Sequence, residues 1–286
     1  MSEFPRVAKV EQKFPRPVVE SIENRIKRQF EACPAFQKNL AGKRIAVTSG
    51  SRGIANLAEI VRVTVMELKN RGAQPFIIPA MGSHGGGTAE GQTKILHDYG
   101  VNLEKTGAEV RSSLETIHLG ETEDGIPVYI DKTAFASDGI VVVNRIKPHT
   151  DFHGEVESGL MKMITIGLGK RDGAGACHSN TSRFPYDRII LSYARKILAT
   201  GKILGGIAIV ENAYHETADI QVIDAEAIEK RERELLPQAK SLMPSLPVEK
   251  ADVLIMDRIG KDISGAGMDP NITGRWFDVN SRVQKE

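Results

Sequence analysis

Cysteine is scarce in this chain, with only Cys33 and Cys177 among 286 residues. Two thiols are too few for a thiolate-held iron–sulfur cluster or a structural zinc site built by this chain alone. Cys177 sits beside His178, which allows a catalytic thiol, although a small buried residue is the plainer reading. An excess of charge of either sign is also missing. The 38 Lys+Arg face 37 Asp+Glu for a formal net charge of +1, so composition gives no electrostatic reason to expect nucleic acid or an anionic membrane as partner. No apolar run approaches the roughly 20 residues of a membrane helix, and the opening MSEFPRVAKVEQKFPRP lacks the apolar core of a secretory signal. These absences favour a cytoplasmic protein acting on a small molecule, with no nucleic-acid or membrane partner.

With 41% hydrophobic and 26% charged residues, the chain has the composition of a globular protein able to bury a full core. Pro5, Pro15 and Pro17 mark an extended arm, followed by a predicted helix from about Val19 to Glu31. RIAVT (Arg44–Thr48) reads as a strand, SGSRGIAN as a loop, and Leu57–Arg71 has the apolar spacing of a helix. Gly72 ends it, as glycine commonly does at a helix C-terminus. QPFIIP (Gln74–Pro79), the loop GSHGGGT and a helix over Ala89–Tyr99 repeat the pattern. Further strands are predicted at Glu115–Leu119 and Ile126–Ile130, and GIVVVN is apolar enough for a central parallel strand covered on both faces. A helix over Pro185–Ala199, a strand over Ile203–Val210 and a charged helix over Asp224–Ser241 follow. The expected fold is α/β, a mainly parallel sheet flanked by helices, whose strand-end loops carry the unusual residues. After Pro244–Pro247, ADVLIMD reads as a fresh buried strand. The expected division is an N-terminal α/β domain over 1–246 and the start of a second α/β domain over 247–286, too short to bury another sheet, so that either the second domain is incomplete or this segment completes the first.

Three stretches carry candidate chemistry. VTSGSRGIAN is similar to the nucleotide-binding turn of short-chain dehydrogenases, since small residues let backbone N–H groups reach a phosphate at a helix N-terminus. That family would offer Tyr-x-x-x-Lys, whereas here Tyr193 is followed by Lys196, one position short. The loop also suits an anion gripped by the Arg52 guanidinium. In MGSHGGGTAEGQ, a histidine among glycines directly after a strand is expected to be exposed in a cleft, which makes His84 a candidate general base; a surface histidine before an ordinary Thr88 helix start is the bland alternative. KPHTDFHGE sets His149 and His153 four apart, a zinc spacing if helical, but Pro148 and Gly154 argue against a helix. Lys162 follows among Leu160, Met161, Met163 and Ile164. So apolar a neighbourhood suits a nucleophilic lysine, or one that snorkels from a core element, with Lys170 and Arg171 supplying solvent-facing charge.

Taken together and in order, GSHGGGTAEGQ, KPHTDFHGE, the lysine of GLMKM and the histidine of ACHSN resemble the nickel-pincer lactate racemase family. The resemblance implies a racemase or epimerase of a 2-hydroxy acid, with a nickel-pincer nucleotide (a pyridinium-3,5-bisthiocarboxylic acid mononucleotide) tethered covalently to Lys162. It implies His178 as the nickel ligand, sixteen residues further on. His84 matches one of two proton-transferring bases and His149 the other, with His153 as a substitute. Ser51 and Arg52 match cofactor contacts, Arg52 and Lys261 substrate contacts. Cofactor-maturation proteins are implied as partners, and a homo-oligomer is allowed. Two departures stand out: SGSRGIAN occupies the place of an Asp-x-Thr-Arg-Pro segment, and the His149–Lys162 spacing is longer. Both would reshape the pocket, so lactate itself is not implied. The readings from other classes are an NAD-type oxidoreductase using the GSRGIA loop and a non-catalytic anion-binding domain.

Overall fold

The computed structural model describes residues 6–51, 53–260, 263–264 and 267–274. In chain order its helices and strands are α1 (Ile22–Ala32), β1 (Arg44–Ser49), α2 (Leu57–Asn70), β2 (Gln74–Pro79), α3 (Ala89–Asp98), α4 (Leu103–Thr106), β3 (Thr116–Glu121), β4 (Pro127–Asp131), α5 (Lys132–Phe135) and β5 (Gly139–Arg145). Then come α6 (Leu160–Lys162), a π-helical turn over Met163–Gly167, α7 (Lys170–Ser179), α8 (Tyr186–Leu198), β6 (Ile203–Glu211), β7 (Thr217–Asp224), α9 (Ile228–Ser241) and α10 (Pro270–Thr273). The sheet runs β2-β1-β5-β6-β7, with β3 and β4 forming a separate hairpin. β2, β1, β5 and β6 are parallel and β7 is antiparallel to β6. This is the expected α/β architecture.

Alternation along the strands explains why both faces are covered. Ile45, Val47, Val141 and Val143 point into one core with Ile26 and Phe30 of α1 and Ile60 and Leu68 of α2. Ala46, Ile140 and Val142 point into the other with α6, the π turn, α8 and α9. A strand buried on both sides must be apolar throughout, and GIVVVN is. Among the described residues no helix is long and apolar enough to cross a membrane.

Three stretches add to or differ from expectation. TADIQVID forms the edge strand β7, whose period-2 pattern puts Ile220 and Val222 into the core and leaves Asp219 and Gln221 partly exposed; the helix predicted from Asp224 starts as α-helix only at Ile228. The glycine-rich 160–179 region is helical, because Leu160, Met161, Met163, Ile164 and Leu168 all pack into the core. ADVLIMD is not a buried strand: Val253 and Ile255 are 76% and 88% exposed, and among the described residues it has no strand to pair with. Apolar composition supplies the propensity, but a ladder partner makes the strand.

Tyr193, which a dehydrogenase reading would use, is fully buried. Its hydroxyl accepts from the Tyr129 N–H at 2.6 Å and donates to the Tyr129 carbonyl at 2.8 Å, tying α8 to β4 and leaving it unavailable to a substrate. Tyr193→Phe strands a partly buried N–H and carbonyl, so urea unfolding should show a loss of about 1–3 kcal/mol; a change of a few tenths would show that the bridge carries no weight.

Candidate functional site

The site begins where two strands part. β1 and β5 are in register only from Ile45↔Gly139 to Val47↔Val141, whereas β1 stays with β2 to Ser49↔Pro79 and β5 with β6 to Arg145↔Ile209. Beyond Val141, the Val143 N–H bonds instead to the Thr48 hydroxyl at 3.0 Å, a side chain standing in for the lost ladder partner. The chain winds from β1 outward to β2 and returns on the other side of β1 at β5, so this is a topological switch point, where parallel sheets hold ligands.

Loops from three adjacent strands meet there. After β1, Ser51 makes a short hydrogen bond to Nδ1 of His84 in the loop after β2. His84 is exposed, as its glycine surroundings predicted, and Thr88 caps α3 by accepting from the Gly91 N–H at 3.0 Å. The neighbouring Ala55 N–H is held at 2.8 Å by Glu211, itself paired with Arg145. Arg52 and Lys261 lie outside the described residues.

The loop after β5, KPHTDFHGE, is non-helical as expected, and a buried carboxylate organises it. Glu157 is wholly buried and accepts from the His149 N–H and from Lys240 Nζ, both at 2.6 Å, with His153 Nδ1 at 3.4 Å. The two histidines differ in place and in orientation. His149 is 16% exposed and His153 49%. The His149 ring lies 4.3 Å from Phe152 and 6.5 Å from Tyr186. Its Nδ1 accepts from the Asp151 N–H at 3.0 Å, which puts the proton of the neutral ring on Nε2. Asp151 Oδ2 stands 3.9 Å from the same nitrogen, beyond hydrogen-bond reach. Asn271 of α10 holds the His149 carbonyl at 2.9 Å.

Lys162 is the last residue of α6 and is partly exposed. The π-helical turn follows immediately, a local widening found often at functional sites. Two groups pin α6 above the parted strands: Asn144 of β5 donates to the Gly159 carbonyl at 2.7 Å, and Glu232 of α9 accepts from the Met161 N–H at 2.8 Å. Gly159 leaves room for that carboxylate, which a Cβ would strike. His178, in the last turn of α7, stacks on Tyr186 with ring centres 5.6 Å apart and planes inclined by 19°. Burial, and then the Lys162 charge, hold its pKa below the ordinary value. A neutral imidazole facing an amine is the state a metal ligand requires. Cys177, by contrast, is a buried packing residue whose thiol burial pushes up to about 12.

Lys170 overturns its expected role as a solvent-facing charge. It is fully buried with φ +54°, and its ammonium lies 3.0 Å from Asp131 and donates to the Pro79 carbonyl at the end of β2. Sequence reasoning also missed Glu157, Tyr186, Asn144 and Glu232 as organisers. None stands in a pattern that separates it from surface residues of its type; only the nearness of Glu157 to His153 offered a signal.

The described residues contain no group of three or more His, Cys, Asp or Glu able to hold a metal ion. A lone imidazole beside an amine therefore fits a metal whose remaining donors arrive on a bound organic group, and fits poorly a metal held by protein alone.

The profile of the family described as the lactate racemase N-terminal domain matches residues 6–186. No curated protein matches the sequence at a significant level. Among solved structures, the fold is similar to the lactate racemase apoprotein from Thermoanaerobacterium thermosaccharolyticum, with a TM-score of 0.56 and 17% identity over 76% of this chain and 55% of that one. The chain thus spans little more than half the length of that relative, and at this identity the likeness speaks for the fold.

Glu232 gives a test of the anchoring of α6. It is fully buried, and desolvation raises its pKa from 4.5 to about 7 against the opposing Met161 and Leu160 N–H bonds. The folded state then keeps a proton that the unfolded chain releases between these values, so this contribution is present below pH 4.5 and lost as pH rises through 7. Unfolding measured at pH 4.5 and 7.5 should show a fall of up to about 3 kcal/mol attributable to this group, absent in Glu232→Gln; equal pH slopes in the two proteins would contradict it.

Proposed function

The chain belongs to the lactate racemase N-terminal domain family, and from that premise we propose that it inverts the C2 centre of a 2-hydroxy acid using a nickel-pincer nucleotide tethered to Lys162. The observation that carries this reading is the pairing of a partly exposed lysine, held over the parted strands by Asn144, with the His178 imidazole, stacked on Tyr186 and kept below its ordinary pKa by desolvation and then by the Lys162 charge. Lys162 would hold the group through its amine and His178 would supply the one protein donor to nickel. When bound, that group supplies a reversible acceptor for the C2 hydride.

The chain's own residues do the rest. His84, oriented through Ser51, takes the hydroxyl proton from one side and gives it back. His149 faces the site from the opposite loop. With Nδ1 accepting from the Asp151 N–H, its neutral ring presents Nε2–H as a proton donor; to act as the base, it must release that N–H, carry its proton on Nδ1 and offer Nε2 as acceptor. His153 is the substitute, since Glu157 can hold its Nδ1–H and leave Nε2 as acceptor. Ser51 and Arg52 would contact the cofactor, and Arg52 and Lys261 the substrate carboxylate. We also propose a division near residue 246, a cytoplasmic location, and dependence on the proteins that build the cofactor.

Protein produced with those cofactor-building proteins should be offered a panel of 2-hydroxy acids deuterated at C2. The expected result is inversion with deuterium kept at C2, because hydride leaves and returns at the same carbon; inversion with deuterium lost to water, or no inversion of any member, would overturn the reading. His84→Gln should lower the rate by about 10²–10⁴-fold. His149→Gln should cost more than His153→Gln, and the reverse order would transfer the second role to His153. His178→Ala should lose nickel while keeping the organic adduct, and an unchanged metal content would remove His178 as ligand.

A further inference from the structure

Lys170 stands midway between Lys162 and His178, eight residues from each. It is the fully buried cation of the segment joining them, and its left-handed backbone, rare for a residue with a side chain, marks the break between the π turn and α7. Burial pushes its pKa down while Asp131 pushes it up. A buried charge of this kind stabilises a fold poorly compared with an apolar side chain, and its best-attested use is to select one arrangement over its neighbours.

The arrangement it selects runs to His84. Lys170 Nζ donates to the Pro79 carbonyl, where β2 ends and the His84 loop begins, and lies 3.5 Å from Gln92 Oε1. Gln92, also fully buried, turns its amide to the Gly82 carbonyl at 2.9 Å and to the His84 carbonyl at 3.2 Å. Gly82 sits at φ +59°, where a side chain would be strained, and a Cβ there would press on Ile166 of the π turn at 3.2 Å, with Ala174 of α7 at 3.8 Å. Asp131 fixes the far end, accepting from the Ala134 N–H at 2.7 Å while its own N–H donates to the Leu168 carbonyl at 2.7 Å. A single path of buried polar groups therefore joins the backbone carrying the tether and the metal ligand to the backbone carrying a base on another loop.

We propose that Lys170 and Gln92 are positioning residues that set His84 at a fixed place relative to Lys162 and His178. The inference rests on reading His84 as a base of this site. Neither residue touches substrate; each acts through the His84 backbone.

The test uses the full chain with isotopically labelled histidine and three variants. Gln92→Glu keeps the shape and the Lys170 contact but cannot donate to the two carbonyls. Lys170→Met cuts the path at its centre, and Lys170→Met with Asp131→Asn removes both buried charges, so that a fold lost in the single variant is recovered in the double one. In cofactor-free protein, the His84 imidazole signals, assigned with His84→Gln, should move in Gln92→Glu and in the double variant while those of His149 and His153 stay in place. In loaded protein kcat should fall about 10- to 100-fold with KM nearly unchanged, the cost of a displaced catalytic group. His84 signals that coincide with the parent in either variant, or a general collapse of all histidine signals in both, would overturn the positioning role. Full activity in His84→Gln would instead remove His84 as a base, and the imidazole signals would still decide whether the path positions it.

Discussion

The parting of β1 and β5 after Val47 and Val141 is the constraint on which the site depends. Two neighbouring parallel strands that stay paired to their ends leave no crevice between them. Here the ladder stops early, Thr48 supplies the missing acceptor for Val143, and the helix bearing Lys162 is drawn over the opening by Asn144 from below and Glu232 from behind. The loops after β1, β2 and β5 then have one place to converge. The winding order of the sheet produces this opening, so the position of the site follows from topology before any catalytic residue is considered.

Buried ionisable groups do the finer work. Glu157, Glu232 and the Lys170–Asp131 pair are wholly buried, and each reaches backbone next to a candidate site residue. Removing one member of a buried ion pair such as Lys170–Asp131 typically costs about 3–5 kcal/mol, yet replacing the whole pair by apolar groups can be neutral. The backbone these groups reach is that next to His149, Lys162 and His84. The aromatic rings add a second kind of fixation: Phe152 and Tyr186 bridge from His149 to His178, so the two histidines share one packed wall.

Much of the fold was legible in the sequence because β1, β2, β5 and β6 alternate into two cores and their loops carry glycine and serine at strand ends. His84, His149, Lys162 and His178 were legible as unusual residues among glycines or apolar neighbours; the structure sets His149 and His178 against Tyr186 and Lys162 directly before the π turn. What was not legible depended on distant partners. Lys170 reads as a surface cation until Asp131, 39 positions earlier, is placed beside it. Glu232 looks like one more acid of a charged helix until Gly159 makes room for it. ADVLIMD shows the opposite error, since its composition promised a core strand and only a partner ladder could have made it one.

Peptide mass mapping with metal analysis of the protein isolated from its own cell tests most directly whether Lys162 is a covalent anchor. The predicted result is an added mass on the peptide containing Lys162, with nickel in near-equal amount to protein; an unmodified Lys162 peptide recovered from protein that inverts its substrate would contradict it.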